Sequence, residues 1–176
     1  MANPSVARNT KAAQRNPQPL LAPNWFLGLV PREFWNVHKT FFIYGADFVP
    51  ITSLATNTVN VQIQNDSHFL CIAGIALVTD AAGAVVINSP SGANSSGKLV
   101  QIIDVAAGYP LSPVVVPLEN LFGSGQLPAM WAIPKLFRKG TTIQTLLQNL
   151  IAASHNVRIS YWGIRLYDAI GSAGGR

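Results

Sequence analysis

Apolar and polar residues alternate with a period of two along much of the chain after residue 34. The clearest case is residues 58–64 (TVNVQIQ), where Val59, Val61 and Ile63 fall on one face and polar residues fall on the other. This period is typical of a β-strand with one face in the core. Similar strand-like runs occupy residues 39–44, 69–79, 84–88, 99–104, 114–118 and 157–167.

Turn-forming residues separate these runs at hairpin-like spacing. Gly, Pro, Asn, Asp and Ser cluster at residues 80–83, 89–97 and 108–110. About eight strands joined in this way predict an all-β fold, either an antiparallel sandwich or a barrel.

Residues 141–153 (TTIQTLLQNLIAA) fit two structures. Leu146, Leu147 and Leu150 follow Ile143 at the spacing of an amphipathic helix, whereas a strand would put polar residues beside Ile143 and Leu147 on one face. Taken alone, this pattern favours a helix.

The chain carries little charge and distributes it unevenly. Asp, Glu, Lys and Arg make up 11% of its residues, whereas a soluble domain averages about 25%. Residues 1–24 contain three basic residues, no acidic residue and four prolines, which favour an extended backbone. The basic residues are Arg8, Lys11 and Arg15, and an apolar cluster follows at Trp25, Phe26, Leu27, Leu29 and Val30. We expect an arm that becomes ordered along a partner subunit.

The length of 176 residues fits one domain. We assign residues 1–33 to a basic, proline-containing arm with an apolar anchor, residues 34–168 to a β-sandwich body, and residues 169–176 to a flexible Gly-rich tail.

Because the arm holds three of the five net positive charges, the body is near neutral and no nucleic-acid-binding face is expected. No apolar run reaches the roughly 20 residues of a membrane-spanning helix, and none follows the arm as in a signal peptide. We therefore expect a protein that acts without secretion and away from membranes.

Residues 92–98 (GANSSGK) match the first seven positions of a phosphate-binding loop. The next position, which should be Ser or Thr to hold magnesium, is Leu99, and it begins a strand-like run rather than a helix. A flexible hairpin loop is the better interpretation.

The remaining chemical groups are scattered. His38, His68 and His155 each lack a second ligand at a chelating spacing. Asp66-Ser67-His68 contains the residue types of a hydrolytic triad, but neighbours in sequence cannot stack as nucleophile, base and orienting group. Cys71 lies in an apolar run and should be buried. We predict no catalytic, cofactor-binding or metal-binding site, and the aromatic residues leave carbohydrate binding as an alternative.

The order of segments resembles that of a known family. The segments are residues 41–50 (FFIYGADFVP), 58–66 running into His68-Phe69-Leu70, 99–104 (LVQIID), 116–123 (VPLENLFG), Leu127-Pro128, 141–149 and 158–167 (RISYWGIRLY). Over residues 39–167 the chain resembles small head-associated structural proteins of tailed bacteriophages, in particular capsid decoration or cement proteins with a jelly-roll body.

The resemblance implies an all-β fold, an antiparallel jelly-roll-like sandwich of about eight strands with an extended N-terminal arm. It also favours a strand over a helix for residues 141–153, and a strand is what we expect there.

The resemblance further implies a non-enzymatic virion protein that binds the outer surface of a phage head and cements neighbouring capsomers. Its partners would be the major capsid protein and further copies of itself, as a homodimer or homotrimer. It would reside on the head surface, and in the host cytoplasm during assembly. On this hypothesis four cationic residues pair with acidic patches of the coat protein and four apolar residues act as anchors. The cations are Arg8, Lys11, Arg15 and Arg32, and the anchors are Trp25, Phe26, Leu27 and Leu29.

Three alternatives remain. The first is a head–tail joining or vertex protein with the same fold, which would be present in far fewer copies. The second is a carbohydrate-binding module that recognises a receptor, because jelly rolls also serve as lectins. The third, a cupin-like metalloprotein, lacks the clustered histidines that it would need.

Overall fold

A computed structural model describes residues 28–86, 96–123 and 127–168 of the chain. Within these ranges the chain forms nine strands, one short α-helix, α1 (Leu118–Leu121), and a 3-10 turn at Arg32–Phe34. The strands are β1 (Lys39–Ile51), β2 (Thr56–Gln62), β3 (Ser67–Thr79), β4 (Lys98–Asp104), β5 (Tyr109–Pro110), β6 (Val116–Pro117), β7 (Ala129–Phe137), β8 (Thr142–Asn149) and β9 (His155–Tyr167).

The strands form two antiparallel sheets that pack face to face. One sheet has four strands in the order β1-β9-β3-β7, and the other has the order β2-β8-β4-β5 with β6 also paired to β4. The pairing is nested, because β1 pairs with β9, β2 with β8, β3 with β7 and β4 with β5. This is the connectivity of a jelly roll. The predicted all-β, antiparallel jelly-roll sandwich is therefore confirmed for the body, while residues 1–27 of the arm lie outside the described ranges.

The core lies between the two sheets, and burial alternates along the strands that line it. Every second residue of β4 and of β8 is buried. The buried hydroxyls of Tyr161 on β9 and Thr145 on β8 are 2.6 Å apart, so a hydrogen bond connects the sheets through the core. Tyr161 also packs edge-on against Phe122, which follows α1.

Most of the ambiguous segment is a strand, as the resemblance implied, and residues 150–153 belong to the loop before β9. Thr142–Asn149 forms β8, with β2 on one side and β4 on the other. Ile143, Thr145, Leu147 and Asn149 are all buried on the core face. The helical spacing is overridden because a central strand pairs its backbone on both edges, and Thr145 and Asn149 form hydrogen bonds inside the fold.

Two of the predicted strands are wrong in part. At residues 84–88 Val85 makes only an isolated bridge to Thr79, and residues 87 and 88 lie outside the described ranges. At residues 114–118 only Val116–Pro117 pairs, and the chain then turns into α1. Here Pro117 is the residue before the helix, and its ψ of 137° is still that of an extended backbone.

Strand β7 was not predicted from the sequence. Ala129–Phe137 contains Pro134 and does not alternate cleanly, which argues against a central strand. It is an edge strand, and its pairing with β3 is interrupted between Cys71 and Ala73. Pro134 lies within this interruption, so its missing N–H removes no hydrogen bond between the two strands.

Candidate interaction surfaces

One end of the sandwich has loops that carry no charged residue beyond Asp80, which directly follows β3. We call this the uncharged end; it comprises residues 52–55, 81–86, 96–97 and 150–154. The loops touch one another, since the backbone N–H of Leu54 donates to the carbonyl of Ile151 (3.3 Å) and that of Leu150 donates to the carbonyl of Gly97 (2.8 Å). Four large apolar side chains are exposed here: Leu54, Val85, Leu150 and Ile151.

Leu54 at the tip of the β1–β2 loop is unusual in two ways. Its φ of 54° lies in the left-handed region, and within the described residues it is the one non-glycine position with positive φ. Its side chain is also 67% exposed. The left-handed conformation costs an L-residue about 1–2 kcal/mol. Neither the backbone conformation nor the exposure of this leucine therefore stabilises the isolated chain.

The opposite end of the sandwich holds most of the paired charges. Arg165 donates from Nη2 to Asp66 Oδ1 (2.6 Å) and from Nε to Ser67 Oγ (2.8 Å). Lys139 pairs with Asp168, and Arg138 lies 3.8 Å from Glu33. We call this the charged end; it comprises Glu33, Asp66, Arg138, Lys139, Arg165 and Asp168. Because strands such as β1 and β3 run 13 residues each, roughly 40 Å separates the two ends.

The pairing at the charged end favours the ionised form of Asp66 and of Asp168. The hydrogen bond from Arg165 lowers the pKa of Asp66, and the hydrogen bond from Lys139 lowers the pKa of Asp168. Burial lowers the pKa of His68, although the neighbouring Asp168 opposes that shift. These groups satisfy one another, which is typical of a solvated, self-contained surface rather than of a reactive centre.

A third surface is the outer face of the four-stranded sheet, on the side away from the core. Near the charged end it is covered by the segment before β1, where Val30 and Phe34 pack against Leu70, Ile164 and Leu166. The indole N–H of Trp35 donates to the carbonyl of Val30 (2.9 Å) and fixes this segment. Further along the same face Phe41 and Ile43 are exposed, and Phe41 meets the ring of Trp162 edge-on at 5.8 Å.

An open cleft of about 470 Å³ lies beside the edge of β7. Its lining is mostly apolar and includes Trp131, Ile133, Leu111 and Ile102, with Asn120 and Lys135 as polar members. Two polar groups of the lining already have partners within the chain. Trp131 Nε1 donates to the carbonyl of Leu121 (3.0 Å), and Lys135 pairs with Asp104 at 3.0 Å.

A buried polar cluster lies just inside the uncharged end. The Lys98 side chain is 0% exposed, and its Nζ donates to the carbonyl of Ser96 (3.1 Å) and contacts Nδ1 of His155 (3.3 Å). The backbone N–H of Ser96 donates to Glu119 Oε1 (2.5 Å). Burial lowers the pKa of both Lys98 and His155. Lys98 is the last residue of the motif at residues 92–98 that matches the start of a phosphate-binding loop. Its side chain is buried in the fold and is not available to a phosphate.

The Asp, Ser, His and Cys residues considered above as candidate catalytic or metal-binding groups do not come together in a site. Ser67 contacts Asp66 and Arg165, whereas His68 packs on the ring of Phe34 and accepts from the backbone N–H of Lys139. Cys71 is buried, as expected, and burial raises the pKa of its thiol. Across the described ranges, no three His, Cys, Asp or Glu residues lie where they would hold a metal ion.

Two of the eight predicted partner-binding residues lie within the described ranges. Leu29 is half-buried, and Arg32 is exposed with its guanidinium 5.8 Å from the centre of the Trp35 ring. The other six residues lie outside those ranges: Arg8, Lys11, Arg15, Trp25, Phe26 and Leu27.

The uncharged end was not predicted, although the sequence contains a signal for it. No charged residue occurs between Asp47 and Asp66, between Asp80 and Lys98, or between Lys139 and Arg158, and these three stretches include its loops. The strand order was needed to show that they meet at one end.

Comparison of the chain with protein-family models, curated proteins and solved structures finds no significant match. In the described part of the chain, no helix has the length and apolar character to cross a membrane.

Proposed function

We propose that this chain is a non-enzymatic structural protein of a phage particle, which binds the outer surface of the head and cements neighbouring capsomers. Three features support the proposal: the jelly-roll body, which viral capsid proteins commonly use, the low charge of the chain, and the uncharged end. On this proposal the uncharged end faces the coat protein, and Arg8, Lys11, Arg15 and Arg32 make separate charged contacts with it.

The exposure and the positive φ of Leu54 are the strongest support for the proposal. An apolar side chain at a loop tip, held in a strained backbone conformation, is costly for a free monomer and useful for a subunit that inserts it into a neighbour. Exposed apolar clusters of this kind mark protein–protein contacts. Burying one leucine supplies about 1.5–3 kcal/mol per contact, and a lattice of many identical contacts adds up to firm attachment.

The direct experiment is cosedimentation of the purified chain with expanded, undecorated phage heads. On the order of hundreds of copies per particle, together with improved heat resistance, supports cementing, because a ligand that binds only the assembled state stabilises it. Saturation at roughly a dozen copies or fewer indicates instead a vertex or head–tail joint of local symmetry. Absence of binding contradicts both and favours the carbohydrate-binding alternative, for which the cleft beside Trp131 is the place to test.

A substitution at Leu54 separates binding from folding. Asn tolerates the left-handed conformation better than Leu, so Leu54→Asn should leave the free energy of unfolding unchanged or raise it by up to about 1 kcal/mol. The same variant should bind at least about tenfold more weakly to heads, since the loss of one buried leucine contact exceeds 1.4 kcal/mol.

The matched control is Val105→Asn. Val105 is similarly exposed, in a loop at the opposite end of the body. We expect this variant to bind like the unmodified chain. Equal binding by Leu54→Asn and Val105→Asn would show that the uncharged end does not face the coat protein.

A further inference from the structure

The outer face of the four-stranded sheet is only half covered by the described chain. Val30, 3% exposed, and Phe34 cover the part around Ile164 and Leu166 on β9. The next outward-facing residue along β9 is Trp162, which is half-buried. On the neighbouring β1, Phe41 is 59% exposed and Ile43 is 44% exposed.

The covered and uncovered parts are one continuous apolar surface. Phe41 is the cross-strand partner of Ile164, and Ile43 is the partner of Trp162. On the far side of β9, Trp162 is the partner of Ala73 on β3. No charged residue interrupts this region until Asp47 pairs with Arg158, at 2.9 Å, further toward the uncharged end.

The chain itself contains an apolar segment close in sequence to the residues that cover this face. Residues 25–27 (WFL) directly precede Gly28, and Val30 is already packed on this face. Five residues span at most about 18 Å. A step of two residues along β9 is about 7 Å and the step from β9 to β1 is about 5 Å, so Phe41, Ile43 and Trp162 all lie within reach of residues 25–27.

We propose that residues 25–27 of the same chain bind the uncovered half of this outer face, against Phe41, Ile43 and Trp162. The short tether gives the contact a millimolar effective concentration, which a second molecule in dilute solution does not match. The contact assigns Trp25, Phe26 and Leu27 to the body of their own molecule, and leaves Arg8, Lys11 and Arg15 for the partner. It lies within one chain and holds whether or not the protein binds a phage head.

Disulfide trapping in the full chain tests the contact. Cys71 is buried, so Phe26→Cys combined with Ile43→Cys introduces one accessible pair. Oxidation should close this pair within the monomer, at least about tenfold faster than the control pair of Phe26→Cys with Val105→Cys at the charged end of the body. Crosslinking confined to dimers would overturn the proposal in favour of a second copy as occupant, and equal rates for the two pairs would overturn it outright.

A double-mutant cycle gives a second, independent measurement. Phe26→Ala and Ile43→Ala should each lower the urea midpoint of unfolding, and the double variant should lower it by less than the sum of the two, because contacting residues couple. Phe26→Ala and Val105→Ala should be additive. Additivity in both cycles would contradict the contact even if the engineered cysteines disturbed folding.

Discussion

At the residue scale, the most consequential buried group is Lys98. Its ammonium group has two partners, the carbonyl of Ser96 and Nδ1 of His155, and the latter accepts a hydrogen bond only while that nitrogen carries no proton. Protonating His155 would place two cations 3.3 Å apart in a buried site. Asp80 and Glu119 lie close enough to oppose this in part, since Asp80 raises the pKa of His155 and Glu119 raises that of Lys98.

This arrangement predicts a dependence of stability on pH. Burial, with the charge of Lys98, lowers the pKa of His155 in the folded state below the value of about 6.5 that it has when unfolded. Between those two pKa values the unfolded chain binds more protons than the folded chain. The contribution of neutral His155 to stability is therefore complete above pH 6.5 and is lost as the pH falls below that value.

The measurement is the free energy of unfolding by urea at pH 7 and at pH 5. The decrease between the two should be smaller in His155→Gln than in the unmodified chain. The exposed His38 supplies the control, and His38→Gln should show the full decrease. The pKa of His68 is also lowered, so some decrease should remain in His155→Gln. An identical decrease in all three proteins would contradict the role of His155.

At the element scale, β8 gives the sharpest test of the fold. A helix would bury Leu146 and Leu147 together, whereas the strand buries Leu147 and leaves Leu146 on the opposite face. We therefore expect Leu147→Ala to lower the free energy of unfolding by about 2–5 kcal/mol. Leu146→Ala should cost less than half as much, because its side chain is only partly buried. Equal losses, measured by urea unfolding, would contradict the assigned faces of β8.

The same strand shows how far the sequence determines the fold. The run that became β2 alternates between apolar and polar residues, as does the first half of β9, and both were predicted from that pattern. The run that became β4 was predicted as an apolar stretch between turn residues. Residues 141–153 needed a resemblance, since Thr145 and Asn149 are polar residues in the core whose hydrogen-bond partners are distant in sequence. Local pattern cannot reveal partners that only the folded chain supplies.

The candidate surfaces were less predictable than the strands. The basic arm is visible in the sequence, but the uncharged end is assembled from loops that are about 100 residues apart, as Leu54 and Ile151 illustrate. The strain at Leu54 is also invisible in the sequence, because nothing near residue 54 resembles a glycine-containing turn. The burial of Lys98 could not be predicted from the motif at residues 92–98, because it depends on the pairing of Lys98 with Asn149 across β4 and β8.

At the scale of the whole molecule, the arm and the body should be separable. Deleting residues 1–24 removes Arg8, Lys11 and Arg15 and leaves all the described residues in place. We expect the urea midpoint to stay unchanged, because the apolar residues 25–27 are retained. Cosedimentation with heads should decrease strongly, because the charged contacts proposed for the arm are lost. Undiminished binding by this truncated chain would contradict a role for the arm.

A longer deletion serves as the comparison. Removing residues 1–27 also removes the segment proposed to cover the outer face, so the urea midpoint should fall relative to the shorter deletion. Equal midpoints for the two truncated chains would argue against that cover, without bearing on whether the arm binds heads.

The two kinds of contact proposed for attachment, apolar at the uncharged end and cationic in the arm, should respond differently to salt. Salt screens attraction between exposed charges over about 8–10 Å at physiological concentrations, whereas excluded salts such as sulfate strengthen the association of apolar surfaces. Contacts made through Leu54 and its neighbours should therefore tighten in sulfate, while contacts made through the basic arm should loosen in sodium chloride. The identity of the anion, and not only its concentration, would then determine which half of the attachment gives way first.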